Sequence, residues 1–205
     1  MQIEIAPKGD SNEMISLEQR INLFHLINDV VAHDVDGSFA EFGCHVGNSA
    51  MQIQAILNQA NSSKEFHVFD KFDARWESKQ QLIKNFETSN LPLPIIHEGL
   101  FSDTIPGELP PKLAFVHIDA GYGGDQVQFM YLIIFLLENI YERMSPGAIC
   151  VLMDYHDTIK TVKGTNSNPG VKAASDIFFE DKSECIYVLY GNRYSHGYFR
   201  KKIKS

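Results

Sequence analysis

The stretch GSFAEFGCHVGNSA, residues 37–50, decides the fold that this sequence predicts. Its first part, Gly37 to Phe42, is typical of a short strand, and a helical pattern runs from Asn48 to about Gln59. The turn between them, Gly43-Cys44-His45-Val46-Gly47, has glycines four residues apart. Such a turn lets the backbone approach a ligand and leaves amide donors free at the start of the helix.

Strands and helices continue to alternate after this stretch. Further strands are predicted at 66–69, 92–97, 112–118 and 148–153, and helices at 77–88, 126–143 and 171–179. Two last strands, 185–190 and 194–203, flank Gly191-Asn192, which predicts a two-residue hairpin. Because parallel neighbours need crossover helices, the pattern predicts an α/β fold: a Rossmann-like, doubly wound, mainly parallel seven-stranded sheet with a C-terminal antiparallel hairpin.

An amphipathic helix is predicted before the first strand. Ser16 and Gln19 have the spacing of a capping box, and apolar residues then recur every three or four positions, at Leu17, Ile21, Phe24, Ile27 and Val31. We expect this N-terminal helical segment, residues 1–35, to lie against the sheet, although an exposed apolar face would also suit a homodimer. No linker is visible, so we expect residues 1–205 to form a single domain.

Composition narrows the class of protein. The 205 residues include 18 Lys and Arg against 26 Asp and Glu, a net charge of -8, which disfavours nucleic acid as a partner. The longest apolar run, 129–137, is about half of what a membrane-spanning helix needs, and no secretory signal is visible. The three cysteines are odd in number and widely spaced. We therefore expect a cytoplasmic protein with reduced thiols that acts on a small molecule and has no membrane partner.

Carboxylates follow three of the predicted strands. Asp70 ends the second strand, where the acidic residue of nucleoside-binding α/β folds accepts ribose hydroxyls. Asp119 and Asp154 follow two apolar strands, and ligands of such sheets bind beyond the carboxyl ends of the strands. Two uses of this pair stay open: holding a hard cation such as Mg2+, or acting as a general base. Solvated acids without function are the alternative.

Three histidines, His45, His117 and His156, lie close to the same edge. His117 alternates into a buried strand, so we expect it to be a core residue. His156 begins a polar loop, residues 156–170, which has no apolar period. We expect this loop to be mobile and to border the active site, with His156 as a further candidate base.

Six stretches of the chain resemble, in order, the class I S-adenosylmethionine-dependent methyltransferases. Within that class they are similar to the macrocin O-methyltransferase family, which modifies sugar hydroxyls of antibiotics. The stretches are GSFAEFGCHVGNSA (37–50), HVFDKFD (67–73), EGLFSDTIPGELP (98–110), KLAFVHIDA (112–120), SPGAICVLMDY (145–155) and GVKAASDIFF (170–179).

The resemblance implies S-adenosylmethionine as cofactor and assigns its contacts. By similarity, the methionine, ribose and adenine parts would be bound by residues at or after the ends of the first four strands, namely Glu41, Gly43, Cys44, Gly47, Ser49, Asp70, Phe101, Ser102 and Asp119. The resemblance also implies a divalent metal on Asp119 and Asp154. The chain departs from the family here, because Met153 replaces one acid and Gly121 stands where the family has a second aspartate. A thioether is a poor ligand for Mg2+, so a metal site would be weakened.

The expected function is O-methylation of a sugar-like or secondary-metabolite hydroxyl. Methyl transfer needs the acceptor to be aligned and one proton to be removed, a task that falls to Asp119, Asp154 or His156. A methyltransferase fold kept as a non-catalytic binding or regulatory protein is the alternative, motivated by Met153. A nucleotide-dependent oxidoreductase fits less well, because the turn is not Gly-x-Gly-x-x-Gly.

Overall fold

The structure is a computed structural model that describes residues 15–72, 77–121, 124–161 and 163–202. Within these residues the chain forms a seven-stranded sheet and six helices. The strands are β1 Ser38–Phe42, β2 Phe66–Asp70, β3 Ile95–Glu98, β4 Leu113–Ile118, β5 Met144–Met153, β6 Tyr187–Leu189 and β7 His196–Arg200. The helices are α1 Leu17–Ala32, α2 Asn48–Gln59, α3 Ser78–Thr88, α4 Phe101–Thr104, α5 Gln126–Tyr141 and α6 Pro169–Phe178.

The sheet has the strand order β3-β2-β1-β4-β5-β7-β6. Strands β1 to β5 pair in parallel, and β7 pairs antiparallel with both β5 and β6. This confirms the predicted Rossmann-like sheet with its C-terminal antiparallel pair. The strand order reverses beside β1, where β2 lies on one side and β4 on the other, so the carboxyl ends of these strands border a crevice.

Two boundaries at the C-terminal side were predicted wrongly. The sequence predicts a helix to residue 143 and a turn at 145–147, but α5 ends at Tyr141 and β5 already begins at Met144. Met144 pairs with Leu113, and the Gly147 amide donates to the Lys201 carbonyl at 2.9 Å. Strand pairing on both sides of β5 thus overrides the local turn signal.

The predicted two-residue hairpin is also wrong, because residues 190–195 connect β6 to β7. This connection is hydrogen-bonded to the start of α1. Ser16 Oγ donates to the Gly191 carbonyl at 2.9 Å, and Gln19 Nε2 donates to the Tyr194 carbonyl at 3.2 Å. These long-range contacts stabilise a six-residue connection, which is longer than the two-residue turn that Gly191-Asn192 predicts.

Helix α1 has the predicted capping box at Ser16 but turns a different face inward. Leu23, Ile27 and Val30 are fully buried, whereas Leu17 is 58% exposed and Ile21 is exposed. The helix covers the sheet by packing against α2, β4 and β5. Residues 1–14 of the predicted N-terminal segment lie outside the described residues. In the part of the chain that is described, no helix has the length and apolarity that crossing a membrane requires.

Candidate functional site

The glycine turn after β1 lies directly against the end of β4. Gly43 has a φ of 84°, and a Cβ at this position would stand 2.1 Å from the Asp119 carbonyl oxygen. The Asp119 amide donates to the Phe42 carbonyl at 2.9 Å, and the Gly43 amide donates to Phe69 at 2.9 Å. A glycine is therefore required here by packing. The contact brings the turn and Asp119 to one edge of the sheet.

Asp70 holds this turn from the neighbouring strand. Its Oδ2 accepts from the backbone amides of Cys44 and His45, both at 2.9 Å, and its Oδ1 accepts from the Phe72 amide at 2.8 Å. A carboxylate offers about four acceptor positions, and the described residues fill three of those on Asp70. Asp70 is thus a clamp on the turn as well as the predicted ribose ligand.

The start of α2 is open to an anion. Its N-cap, Gly47, has a left-handed backbone and makes no side-chain cap, so the first amides of the helix keep free donors. Ser49 in the first turn is buried. Cys44 is also buried, and burial raises the pKa of its thiol well above the usual value, with the Glu41 and Asp70 charges adding to the effect. The Cys44 thiol therefore stays protonated, and its side chain packs in the core.

The predicted adenine side lies at the end of β3. The Phe101 ring is partly buried and meets the Phe42 ring edge-on, with centroids 6.0 Å apart. Ser102 is exposed and donates to Asp103 Oδ1 at 3.1 Å. Leu100 beside them is 57% exposed. This corner therefore presents apolar surface and a hydroxyl next to the turn.

Glu41 is sealed in the interior rather than facing the edge. It lies opposite His117 on β4, both side chains are fully buried, and Oε1 is 2.7 Å from His117 Nδ1. Burial alone would lower the pKa of His117, but the hydrogen bond and charge of Glu41 outweigh it and raise that pKa. Glu41 Oε2 and His117 Nε2 have no hydrogen-bond partner within the described residues. The pair lies in the core beneath the edge of the sheet. His117 is therefore a core residue, as its strand pattern predicts.

Asp119 and Asp154 directly follow the neighbouring strands β4 and β5 at this edge, and each is partly exposed. Burial raises the pKa of Asp119 to about 7; the His117 charge opposes this rise, and the charges of Asp154 and Glu41 add to it. Burial also raises the pKa of Asp154, against a hydrogen bond from Asn168 that lowers it. The two carboxylates are thus close enough for their charges to interact, and both have less tendency to ionise than a solvated acid.

Sequence analysis missed a residue that contacts this pair. Asn168 Nδ2 donates to Asp154 Oδ2 at 2.6 Å, and Asn168 is buried at the end of the loop. The sequence gives little indication of this contact. An asparagine before Pro169-Gly170 is typical of the start of a helix, and such a position does not by itself predict a contact with an acid. The helix begins here, two residues earlier than predicted.

His156 is held in the interior. Its Nδ1 lies 3.0 Å from Ser195 Oγ, which in turn donates to the Tyr155 carbonyl at 2.8 Å. The imidazole is 6% exposed, and burial of this kind argues against direct contact with an acceptor. Its catalytic role stays a prediction, as does the mobility of the loop 156–170, in which Val162 lies outside the described residues.

The donors present do not fit the predicted metal site. Met153 is a buried thioether, and a Cβ on Gly121 would lie 2.2 Å from the Phe129 ring, so this position leaves no room for a carboxylate without repacking. Among the described residues, no three His, Cys, Asp or Glu side chains come together as a metal site would require. Two carboxylates alone are a poor set for Mg2+ unless substrate oxygens complete it.

Comparison with known proteins supports the fold and finds a methyltransferase of similar sequence. No protein-family profile matches the chain. In sequence, the chain is 25% identical over 171 residues to the 8-demethyl-8-(2,3-dimethoxy-alpha-L-rhamnosyl)-tetracenomycin-C 4'-O-methyltransferase of Streptomyces olivaceus. That match covers 71% of this chain and 63% of the relative, so the chain spans less than two thirds of that protein.

Solved structures share the architecture at low identity. The O-methyltransferase NovP has a TM-score of 0.70 at 18% identity, over 89% of this chain and 79% of its own. A Podospora anserina methyltransferase bound to S-adenosylhomocysteine has a TM-score of 0.63 at 13% identity, over 90% and 79%. An rRNA methylase from Streptococcus thermophilus reaches 0.59 at 14%, over 87% and 96%. The strand order and these similarities show that the chain has the Rossmann-like fold of the class I S-adenosylmethionine-dependent methyltransferases.

Proposed function

We propose that the chain is an S-adenosylmethionine-dependent O-methyltransferase that acts in the cytoplasm on a hydroxyl of a sugar-like or other secondary metabolite. The observation that carries the proposal is Asp119, a partly exposed carboxyl at the end of central strand β4 with a pKa raised to about 7 by burial. A general base works best when its pKa lies near the working pH. The rhamnosyl O-methyltransferase that the chain resembles supports a hydroxyl acceptor.

Three features of the edge fit the cofactor. The uncapped start of α2 suits the carboxylate of its methionine part, Asp70 suits the ribose hydroxyls, and the apolar corner at Leu100 and Phe101 suits the adenine. When bound, S-adenosylmethionine supplies an electrophilic methyl group that an acceptor oxygen displaces from sulfur, leaving S-adenosylhomocysteine.

The acids at the edge manage the acceptor. Asp119 takes the hydroxyl proton as the oxygen–methyl bond forms, and it later returns that proton to solvent. Asp154 orients the acceptor, since alignment within reach of the base contributes much of the acceleration in such reactions. No step is assigned to a metal, because the thioether of Met153 and the crowded Gly121 leave an incomplete donor set.

The test uses S-adenosylmethionine labelled in its methyl group with carbon-14 and 4-nitrophenyl α-L-rhamnoside as the acceptor. We expect label in the rhamnoside with the native chain, little with Asp119→Asn, and native transfer with Asp176→Asn, a control at an exposed acid of α6 paired with Lys172. Binding of S-adenosylhomocysteine is measured in parallel by calorimetry.

The outcomes separate the candidate functions. Cofactor binding without methyl transfer to the rhamnoside or to a panel of phenols would favour a non-catalytic protein with a methyltransferase fold. The methionine at position 153, where the resembled family has an acid, supports that alternative. Failure to bind either S-adenosylmethionine or S-adenosylhomocysteine overturns the proposal altogether.

A further inference from the structure

We infer that Asn168 is a positioning residue for the proposed methyl transfer, which fixes the Asp154 carboxylate through a relay anchored on α5. The inference rests on the proposed function, because it explains how one of its two acids is held. Asn168 lies 14 residues after Asp154, at the opposite end of the polar loop, so the loop closes back on the strand end from which it starts.

The contact is short and directional. Asn168 Nδ2 donates to Asp154 Oδ2 at 2.6 Å, from a side chain that is 4% exposed. Within the described residues, no other group hydrogen-bonds to the Asp154 carboxylate, which is partly exposed. A hydrogen bond to an ionised acceptor is roughly twice as strong as a neutral one, so this contact selects one orientation of the carboxylate.

The relay behind Asn168 fixes which way its amide points. Gln126 Nε2, in the first turn of α5, donates to Asn168 Oδ1 at 3.3 Å. Gln126 Oε1 accepts in turn from the Gly170 amide at 3.1 Å. Because Oδ1 of Asn168 faces a donor, its Nδ2 faces Asp154.

Close packing anchors the relay to the helix. A Cβ on Gly170 would lie 2.6 Å from the Gln126 carbonyl oxygen and 3.1 Å from the Met130 amide, so the start of α6 is in backbone contact with α5. Asp154 itself has a left-handed backbone, with a φ of 59°. Such a conformation persists in a non-glycine residue where the surroundings hold it, and the Asn168 contact is part of the surroundings of Asp154.

Two substitutions separate positioning from a structural role. Asn168→Asp keeps the size of the side chain and an oxygen for Gln126, but it cannot donate to Asp154 and sets two carboxylates against each other. Asn168→Ala removes both contacts. Lys172→Ala is the matched control, because it removes an ion pair with Asp176 on the same helix and leaves the contacts of Asn168 with Asp154 and Gln126 in place.

Steady-state transfer to 4-nitrophenyl α-L-rhamnoside is the readout. We expect both Asn168 variants to lower kcat by about 10- to 100-fold, the usual effect of losing an orienting partner, with affinity for S-adenosylhomocysteine unchanged. Asn168 makes no side-chain cap at the start of α6, so a merely structural role would appear as a lower urea midpoint in both variants, with kcat per folded molecule unchanged. Native kcat in Asn168→Asp would therefore overturn the inference.

A second readout needs no acceptor. The side-chain amide protons of Asn168, followed by nitrogen-15 correlation NMR, should shift when Asp154→Asn removes the charged acceptor. Absence of that shift would overturn the inferred contact. An inactive native chain in which the shift occurs would instead contradict the sugar O-methyltransferase assignment, so the two failures are distinguishable.

Discussion

Replacing Asp70 with alanine should loosen the glycine turn even before a cofactor binds. The carboxylate accepts three backbone amides, from Cys44, His45 and Phe72, and so ties the end of β2 to the turn after β1. Without it, three donors lose their acceptor. The fold would persist, because the strands on both sides pair independently of this side chain.

The size of the effect follows from where those amides lie. His45 is exposed, so its amide regains a hydrogen bond to water, whereas Cys44 and Phe72 are 4% and 5% exposed. An unpaired buried donor costs about 1–3 kcal/mol, so the two together should lower the free energy of unfolding by about 2–6 kcal/mol. Loss of the ribose contacts should weaken S-adenosylhomocysteine binding by a further 1.5–3 kcal/mol, roughly 10- to 100-fold.

Urea denaturation without ligand measures the first effect, and calorimetric titration measures the second. Asp70→Asn keeps one acceptor oxygen and should fall between the native chain and the alanine variant. Asp181→Ala is the control for lost charge, because that side chain is 83% exposed and pairs with its neighbour Lys182. An Asp70→Ala midpoint equal to that of Asp181→Ala would refute the role of the carboxylate as a clamp.

Four further outcomes are expected. Asp119→Asn should lose methyl transfer but keep its affinity for the cofactor. In the native chain, kcat/KM should rise with pH through about 7, because burial has raised the pKa of the Asp119 carboxyl and the carboxyl must lose its proton to act as a base. A flat pH profile would contradict the role of Asp119 as base. His117→Leu leaves the buried Glu41 carboxylate unpaired and should cost about 3–5 kcal/mol of stability in thermal unfolding, whereas a native melting temperature would show that the pair is not coupled. Gly121→Ala should cost about 1–3 kcal/mol by crowding the Phe129 ring, and an unchanged urea midpoint would show that the ring moves freely. Transfer should survive EDTA, and loss of activity that Mg2+ restores would contradict the conclusion drawn from the donor set.

The order of strands and helices could be predicted from the sequence because its signals are local. The mainly apolar run Lys112 to Ile118 predicts a buried strand, which is found as β4, Leu113–Ile118. The sequence also predicts that Leu82, Ile83 and Phe86 of the helix at 77–88 face inward; in α3 Leu82 and Phe86 are buried and Ile83 is half-buried. The placement of strand-end acids at one edge follows from the topology alone, since all parallel strands end on the same side.

Contacts that join distant parts of the chain could not be predicted in the same way. Glu41 and His117 are 76 residues apart, and their pairing depends on the register between β1 and β4. The start of α1 binds the connection before β7 across 175 residues, which is why a short hairpin signal failed. Asn168 reaches Asp154 only because the loop between them folds back onto the sheet.

The position of β7 has a consequence for how the chain is made. The last strand of the described residues, β7, lies inside the sheet between β5 and β6. Within the described sheet, β6 pairs only with β7, and the outer edge of β5 is also paired by β7, so both strands lack this partner until residues 196–200 have been made. While the ribosome is still adding these residues, two strands expose unpaired backbone groups that invite association with other chains. We therefore expect the sheet to close only after synthesis has passed residue 200, and yield in cells to depend on how well chaperones protect the nascent chain until then.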